Sequence, residues 1–156
     1  MSDTPRVWLA EPHEAEAVAG LLAAFRDHLG YGRPSDDSIL ASVWRLIERP
    51  DTEFLLGAAG DDAPPSGVVQ LRFRWGVWWD AEDCWLEDLY VSDQARGSGL
   101  GRALVEAAFD RARLRDCRRV ELDVNTENAA ARALYESLGF TTGKTGGQDL
   151  FLRRHL

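Results

Sequence analysis

A glycine-rich turn lies between a predicted strand, Cys84–Val91, and a predicted helix, Leu100–Leu114. It reads Gln94-Ala95-Arg96-Gly97-Ser98-Gly99-Leu100-Gly101-Arg102. The unpaired N–H groups and the dipole at a helix N-terminus make an anion site, and glycines let the backbone approach the anion closely. The turn lacks the Lys and Ser/Thr of a P-loop, and its glycines are not spaced as G-x-G-x-x-G. The segment therefore predicts a phosphate site, and it argues against nucleotide hydrolysis and dinucleotide redox chemistry.

The remaining sequence predicts a mixed α/β (α+β) fold. Apolar periodicity and turn residues place strands at Arg6–Ala10, Thr52–Ala59, Gly67–Trp75, Cys84–Val91 and Arg119–Val124, and a final hairpin at Phe140–Thr142 with Gln148–Arg153. Helices are predicted from Pro12 to Gly30, from Ser35 to Pro50, over Leu100–Leu114 and over Thr126–Leu138. The order is β-αα-βββ-α-β-α-ββ, and a βαβ unit over residues 84–124 implies that part of a helix-flanked central sheet is parallel. The length of 156 residues fits one domain, 1–156.

Composition excludes several classes of function. A net charge of −8 argues against nucleic-acid binding. The longest nearly apolar stretch, Ala17–Phe25, is far shorter than the ~20 residues that span a bilayer, and its acidic flanks do not suit a signal peptide, so we expect a cytoplasmic protein without a membrane segment. Cys84 and Cys117 form no C-x-x-C pair and the three histidines are scattered, so no metal site is expected. Free thiols are the commoner state, although a disulfide between the two stays open.

Charge is unevenly distributed around the glycine turn. Residues 94–119 hold seven arginines against three carboxylates, a local charge of +4, whereas residues 76–93 hold six carboxylates and no Lys or Arg. This asymmetry suits an anionic cofactor beside a cationic substrate. The alternative is a set of solvated surface charges without a shared field, which we favour for the arginines late in the helix.

Three separated motifs carry a family resemblance. They are Leu86-Glu87-Asp88-Leu89-Tyr90-Val91, then Gln94-x-x-Gly97-x-Gly99-x-Gly101, and then Asn125-x-x-Asn128 with Leu134-Tyr135-x-x-x-Gly139-Phe140. Together they resemble the GNAT superfamily of N-acetyltransferases, and most closely its branch that acetylates polyamines and other small amines. The resemblance implies the GNAT fold and acetyl-CoA as the acetyl donor.

The resemblance also implies which residues bind the coenzyme. The pyrophosphate would lie on the turn formed by Arg96, Gly97, Ser98, Gly99, Leu100, Gly101 and Arg102. The pantetheine arm would pair, like an added strand, with Leu89, Tyr90 and Val91, and Asn128 would contact the arm further along.

Acetyl transfer to an amine requires a proton donor for the departing thiolate. Tyr135 lies seven residues after Asn128 on the same predicted helical face. Its ordinary pKa of ~10 exceeds the ~8.5 of a thiol, so it can donate to the forming thiolate. The alternative is a tyrosine that only fills the core, which is the commoner fate of a helical tyrosine; the family position favours the catalytic role.

The attacking amine also requires a base. Under regular alternation, Glu87 shares one strand face with Trp85, Leu89 and Val91, and Asp88 shares the other with Leu86 and Tyr90. Burying a carboxylate among apolar residues tends to raise its pKa, which suits a general base. We predict that Glu87 takes the proton of the substrate ammonium and that Asp88 orients it or binds a cation; the alternative is a carboxylate that accepts backbone N–H bonds at a bulge. The resemblance implies that a backbone N–H of this strand stabilises the oxyanion.

Weaker candidates lie near the acceptor side. Trp75, Trp78 and Trp79 would form an aromatic wall for an alkylammonium, or alternatively pack at a core edge or dimer interface. Tyr31 and His28 are candidates to line the acceptor site, with a surface position favoured for His28. The tryptophan-rich segment and the C-terminal strands are the candidate surfaces for a homodimer.

These features predict an enzyme that transfers an acetyl group from acetyl-CoA to a primary amine of a small molecule, by direct attack. A polyamine, a diamine and an amino-acid-like amine are the acceptor classes considered. The alternatives are a protein N-terminal or lysine acetyltransferase and a non-catalytic CoA-binding sensor module.

Overall fold

The structure, a computed structural model, describes residues 3–143 and 146–156. In these ranges the strands are β1 Arg6–Leu9, β2 Thr52–Ala58, β3 Gly67–Gly76, β4 Ala81–Val91 and β5 Val120–Glu121. The helices are α1 Ala15–His28, α2 Asp36–Leu46, α3 Leu100–Leu114 and α4 Ala129–Ser137. Single 3₁₀ turns, Pro12–Glu14 and Asp93–Ala95, precede α1 and the glycine turn. The chain divides into two compact units, one up to Glu121 and one from Leu122.

One mixed sheet organises the first unit. Its strand order is β1-β2-β3-β4-β5, with antiparallel pairing from β1 to β4 and parallel pairing between β4 and β5. Helix α3 provides the crossover connection that parallel neighbours require. Strands β2 and β3 form an antiparallel hairpin, and the predicted βαβ unit and partly parallel sheet are confirmed.

Side-chain alternation assigns each face of this sheet to different helices. Leu56 and Val68, which pair across β2 and β3, belong to the core formed with α1 and α2. The next pair along, Gly57 and Gly67, points to the opposite face, where α3 packs. A Cβ atom added at Gly57 would lie 2.6 Å from Leu100 Cδ1, so the two glycines allow α3 to approach the sheet closely.

The helix boundaries follow local chemistry. Ser35 caps α2, since its side chain accepts a hydrogen bond from the Ser38 amide at 3.2 Å. Gly139 follows α4 with a φ of +93°, a conformation that glycine commonly adopts after a helix C-terminus. The structure thus confirms the positions of the helices to within a few residues of the predicted ends.

The predicted C-terminal hairpin, Phe140–Thr142 with Gln148–Arg153, is wrong for the residues that the structure describes. Residues 140–143 and 146–156 contain no strand. Leu150 and Leu152 are 78% and 84% exposed, so this segment has no buried face to hold a hairpin, which is marginal in water by itself. The fifth strand is also shorter than predicted, because β5 ends at Glu121 rather than at Val124.

In the described part of the chain, no helix combines the length and the apolar character needed to cross a membrane.

Candidate functional site

The glycine turn has the backbone geometry of an anion site. Gly97 and Gly99 adopt φ values of +78° and +85°, which L side chains rarely adopt, and Gly99 directly precedes α3. A Cβ atom at Gly97 would meet no described atom within 4 Å, so the space beside the turn is open. The first turn of α3 carries no acidic side chain to compete for its amides. The residues present therefore fit a diphosphate at the N-terminus of α3.

Side chains within the turn fix its shape. The Ser98 hydroxyl donates to the Ala95 carbonyl and accepts from the Leu100 amide at 3.3 Å. Leu100 is 1% exposed and packs above Gly57 and Gly67. Ser98 therefore holds the turn from inside, and Leu100 anchors it to the sheet.

Two arginines border the turn in exchangeable ion pairs. Arg96 pairs with Asp93 at 3.2 Å and Arg102 with Glu106 at 3.8 Å, and all four side chains are at least 46% exposed. Exposed pairs of this kind contribute roughly 0–1 kcal/mol, so a phosphate can replace the carboxylate at little cost. Arg96 also lies 3.3 Å from His28 Nε2, which joins the end of α1 to the turn.

Three of the five remaining arginines of the basic segment are ion-paired with carboxylates of the sheet. Arg111, Arg115 and Arg119 are paired with acidic side chains of β2 and β4: Arg111 with Glu53 at 2.8 Å, Arg115 with Glu82 at 3.0 Å, and Arg119 with Asp83 at 3.1 Å. Two of these pairs, Arg115–Glu82 and Arg119–Asp83, join the basic segment to the acidic segment 76–93, whereas Glu53 lies outside it. For Arg111 and Arg115 the pairing agrees with the alternative favoured from the sequence, in which the arginines late in the helix share no field, except that both are ion-paired rather than simply solvated.

Strand β4 contains a bulge at Asp88. The β3–β4 register passes from Val68↔Tyr90 to Gln70↔Glu87, so one residue of β3 faces two of β4. Asp88 has a φ of +52°, the left-handed region that Asp tolerates better than most side chains. A bulge removes backbone groups from the ladder, so it can leave an N–H available for an oxyanion.

The bulge reverses the predicted alternation. Glu87 shares its face with Trp85 and Tyr90, not with Leu89 and Val91, because the extra residue at Asp88 shifts the side chains beyond it. Glu87 is half-buried on the α1–α2 face of the sheet. The predicted burial of Asp88 is wrong, since its side chain is exposed at the bulge.

The edge of β4 beyond the bulge continues without β5. The parallel pairing involves only Cys84↔Val120 and Trp85↔Glu121, and β5 ends there. Residues Leu89–Val91 thus follow the point where β4 and β5 part. An extended ligand can pair with a strand at such an edge.

Two predicted site residues lie in the second unit. Tyr135, on α4, is 9% exposed and packs edge-on against Phe140 with ring centroids 5.6 Å apart. Burial, together with the nearby charge of Asp123, raises the pKa of Tyr135. Asn128 is the N-cap of α4, and its Oδ1 accepts from the Ala131 amide at 3.2 Å. Tyr135 is therefore a protonated phenol at neutral pH. Because the Oδ1 of Asn128 is used by the helix cap, its Nδ2 group is the part of that side chain suited to a ligand.

Both cysteines are poor nucleophiles. Burial raises the pKa of Cys84 to about 12 and also raises the pKa of Cys117. The thiolate is the reactive form, so neither thiol is activated near neutral pH. Both cysteines are free, which resolves the disulfide left open by the sequence.

The weaker acceptor-side candidates are mostly exposed. Trp75, Trp78 and Trp79 are 65%, 91% and 40% exposed, so they do not pack a core edge within this chain. Tyr31 is 63% exposed after α1. His28 is exposed, as the sequence favoured, and it lies 6.1 Å from the Tyr90 ring and 3.3 Å from Arg96.

Sequence reasoning missed Gln70. This side chain of β3 is 4% exposed and lies directly opposite Glu87. A polar residue inside an otherwise apolar run, Val68-Val69-Gln70-Leu71, was the available signal.

Comparison with known proteins places this geometry in a family. Residues 7–140 match the sequence model of the acetyltransferase (GNAT) family. Aminoglycoside N(6′)-acetyltransferase type 1 of Stenotrophomonas maltophilia is 30% identical over 143 residues, which cover 90% of this chain and 88% of that protein. Mycothiol acetyltransferase of Beutenbergia cavernae is 48% identical over 68 residues, 42% of this chain, but the match spans only 23% of that protein.

A solved structure supports the same fold. A candidate acetyltransferase from Arthrobacter sp. FB24 superposes with a TM-score of 0.85 at 32% identity. The superposition covers 99% of this chain and 97% of that one. The fold class predicted from the sequence is therefore shared by an experimentally determined relative.

Proposed function

The chain belongs to the acetyltransferase (GNAT) family, and from that premise we propose that it acetylates a primary amine of a small molecule, such as a polyamine, a diamine or an amino-acid-like amine. Members of this family are N-acetyltransferases that use acetyl-CoA, and this chain is such an enzyme. The proposal concerns the acceptor and the residues that act on it.

One observation carries the proposal: the bulge of β4 contains two consecutive acidic residues. Glu87 is half-buried on the α1–α2 face, and the adjacent Asp88 is exposed. A pair of acidic side chains attracts an ammonium group and suits a small cationic amine. The relative that aligns over most of both chains is named for an aminoglycoside acceptor, which is consistent with a small-molecule amine.

The coenzyme would be held by backbone groups. Under this proposal, the amides from Arg96 to Arg102 bind the pyrophosphate, and the open space beside Gly97 and the two positive φ values support this role. Leu89, Tyr90 and Val91 pair with the pantetheine arm at the edge that β5 leaves, and the Asn128 amide group contacts the arm.

When bound, acetyl-CoA supplies an activated acetyl thioester. Glu87 accepts the proton of the acceptor ammonium, directly or through water, so that the amine can attack. A backbone N–H at the Asp88 bulge stabilises the oxyanion. Tyr135 donates its proton to the departing thiolate, and its raised pKa supports this role because the phenol stays protonated.

The properties of the cysteines favour direct attack by the amine, without an acyl-enzyme intermediate. A covalent route through a cysteine would require a nucleophilic thiolate. The pKa of Cys84, raised to about 12, keeps that thiol protonated, and Cys84 is fully buried. We therefore propose that the amine attacks the thioester directly and that the acetyl group is not carried by a cysteine.

A panel of acceptors tests the proposal. Thiol release from acetyl-CoA should be measured with diamines, polyamines, an aminoglycoside and peptides that carry a free N-terminus or lysine. We expect turnover with the small amines and a large loss in the Glu87→Gln variant. Turnover with peptides alone would assign the enzyme to protein acetylation, and coenzyme binding without turnover on any acceptor would support the sensor alternative.

A further inference from the structure

Gln70 occupies an unusual position beside the predicted base. It lies on β3 between Phe54 of β2 and Glu87 of β4, and these three residues pair directly across the sheet. Side chains that oppose each other in this way share one face, with Cβ atoms roughly 4.5–5.5 Å apart. Gln70 therefore faces the α1–α2 side together with Glu87.

The amide nitrogen of Gln70 is buried without a hydrogen bond. Gln70 is 4% exposed, and its Nε2 has no hydrogen-bond partner in the described part of the chain. A buried donor without a partner is costly, and such groups are few in native proteins. The position therefore indicates that a bound ligand supplies the hydrogen-bond acceptor for Nε2.

The chemistry of the two groups specifies that partner. The Nε2 group only donates, so it requires an acceptor atom such as a hydroxyl or carbonyl oxygen. Glu87, directly opposite, is suited to an ammonium. One small molecule can contact both Gln70 and Glu87 if it carries an oxygen within a few bonds of its amine.

We propose that Gln70 is a specificity-determining residue that donates a hydrogen bond to an oxygen close to the acceptor nitrogen. This inference rests on the proposed small-amine function and deepens it. The favoured acceptors are hydroxylated or carbonyl-bearing amines, such as amino alcohols and amino sugars, whereas a plain alkyl diamine leaves the Gln70 donor without a partner.

A matched pair of acceptors tests the inference. 1,3-Diamino-2-propanol and 1,3-diaminopropane differ only in one hydroxyl group, and thiol release gives kcat/KM for each. We expect the wild type to prefer the hydroxylated diamine by about tenfold, the size of one hydrogen bond to a neutral group at its upper end. Gln70→Met keeps the length of the side chain and removes its donor, so the preference for the hydroxylated diamine should disappear.

Ser66→Ala provides the control. Ser66 Oγ is likewise buried without a partner in the described chain, but it precedes β3 and is not opposite Glu87. We expect this variant to keep the wild-type preference. Gln70→Met should also raise the Tm of the ligand-free enzyme by a few degrees, since an apolar group replaces an unpaired donor; an unchanged or lower Tm would count against the inference.

The outcomes separate this inference from the proposed function. If the wild type acetylates both diamines equally well, the role of Gln70 is overturned while the small-amine function stands. If neither diamine reacts but peptides do, the small-amine function fails, and the inference fails with it. A hydroxyl preference that persists in Gln70→Met would also overturn the role of Gln70.

Discussion

Tyr135 is the proposed proton donor to the departing thiolate. Replacing it with Phe keeps the packing against Phe140 but removes the proton donor. We expect kcat to fall by about 100-fold, the lower range for general acid catalysis, with the Kd for acetyl-CoA unchanged by calorimetry. Because the pKa of Tyr135 is raised, its ionisation should not reduce the wild-type kcat until above about pH 10. A Tyr135→Phe variant with more than half of the wild-type kcat would refute the role.

Glu87 must be ionised to accept a proton, so kcat/KM should fall on the acid side of the pH profile. We expect Glu87→Gln to lower kcat/KM by about 100-fold and to remove that acid limb. Asp88→Asn is the matched control, since it changes the adjacent, exposed carboxylate and should weaken acceptor binding without removing the limb. An identical pH profile in Glu87→Gln would remove the assignment.

The sequence predicted Glu87 and Asp88 as site residues, but it did not predict which face of the strand each one occupies. Regular alternation predicted Glu87 on the face of Leu89 and Val91, and a single extra residue at Asp88 reversed this. Alternation has a period of two and contains no mark of where a bulge falls. The only local signal was the ability of Asp to adopt a positive φ, which many exposed aspartates share.

At the scale of elements, the glycine turn depends on its backbone conformation. Gly99→Ala would force a side chain into a φ of +85° and rotate the amides at the start of α3. We expect the Kd for acetyl-CoA to rise by about tenfold, as for the loss of a hydrogen bond to a charged group.

Gly30→Ala is the control for backbone strain. Gly30 follows α1 with a φ of +77° and open space around it, so its replacement carries a similar strain. We expect a similar loss of stability, about 1 kcal/mol, with the Kd for acetyl-CoA unchanged. Equal effects of the two variants on the Kd would show that the turn has no special role.

The close packing of α3 against the sheet also depends on glycine. A Cβ atom at Gly67 would lie 2.9 Å from side-chain atoms of both Leu100 and Leu104. Gly67→Ala should therefore destabilise the fold by about 1–3 kcal/mol through overpacking, measured by urea unfolding. Gly20→Ala, in α1 with open space around it, should instead stabilise by about 0.5–1 kcal/mol. A neutral Gly67→Ala would show that α3 does not require this close approach.

Element positions were predictable where periodicity and caps agree. Helix α3 has its predicted bounds because its apolar stripe is long and a glycine turn precedes it. The C-terminal hairpin failed because Leu150, Phe151 and Leu152 are consecutive apolar residues that stay exposed. Sequence alone does not show whether a short apolar run finds a surface to pack on.

For the molecule as a whole, burial of Cys84 makes stability depend on alkaline pH. The folded state raises the pKa of Cys84 from 9.0 to about 12, so it holds the thiol proton more tightly than the unfolded state does. The contribution of the protonated Cys84 thiol to the free energy of unfolding is complete below pH 9 and is lost as the pH rises toward 12. The slope of this loss is at most about 1.4 kcal/mol per pH unit. Urea unfolding between pH 8 and 11 should show a flatter decline in Cys84→Val than in the wild type. Parallel curves for the two proteins would contradict this.

The ion pairs of the folded protein show which charged residues are partners, and a count of charges along the sequence does not contain this information. The sequence contains the acidic and basic segments, but only the fold brings Arg111 to Glu53 and Arg115 to Glu82. These pairs join α3 to β2 and β4 across long sequence separations. Local net charge alone therefore does not show which charges are ion-paired in the folded protein.

The central claim is that the amides ahead of α3 bind the diphosphate of acetyl-CoA. Titration calorimetry of the purified protein should compare acetyl-CoA with S-acetylpantetheine, which carries the same thioester but no diphosphate. We expect acetyl-CoA to bind at least about 100-fold more tightly, since several charge-assisted hydrogen bonds are lost in the shorter compound. Equal affinity for the two compounds, or no heat with acetyl-CoA, would contradict the claim.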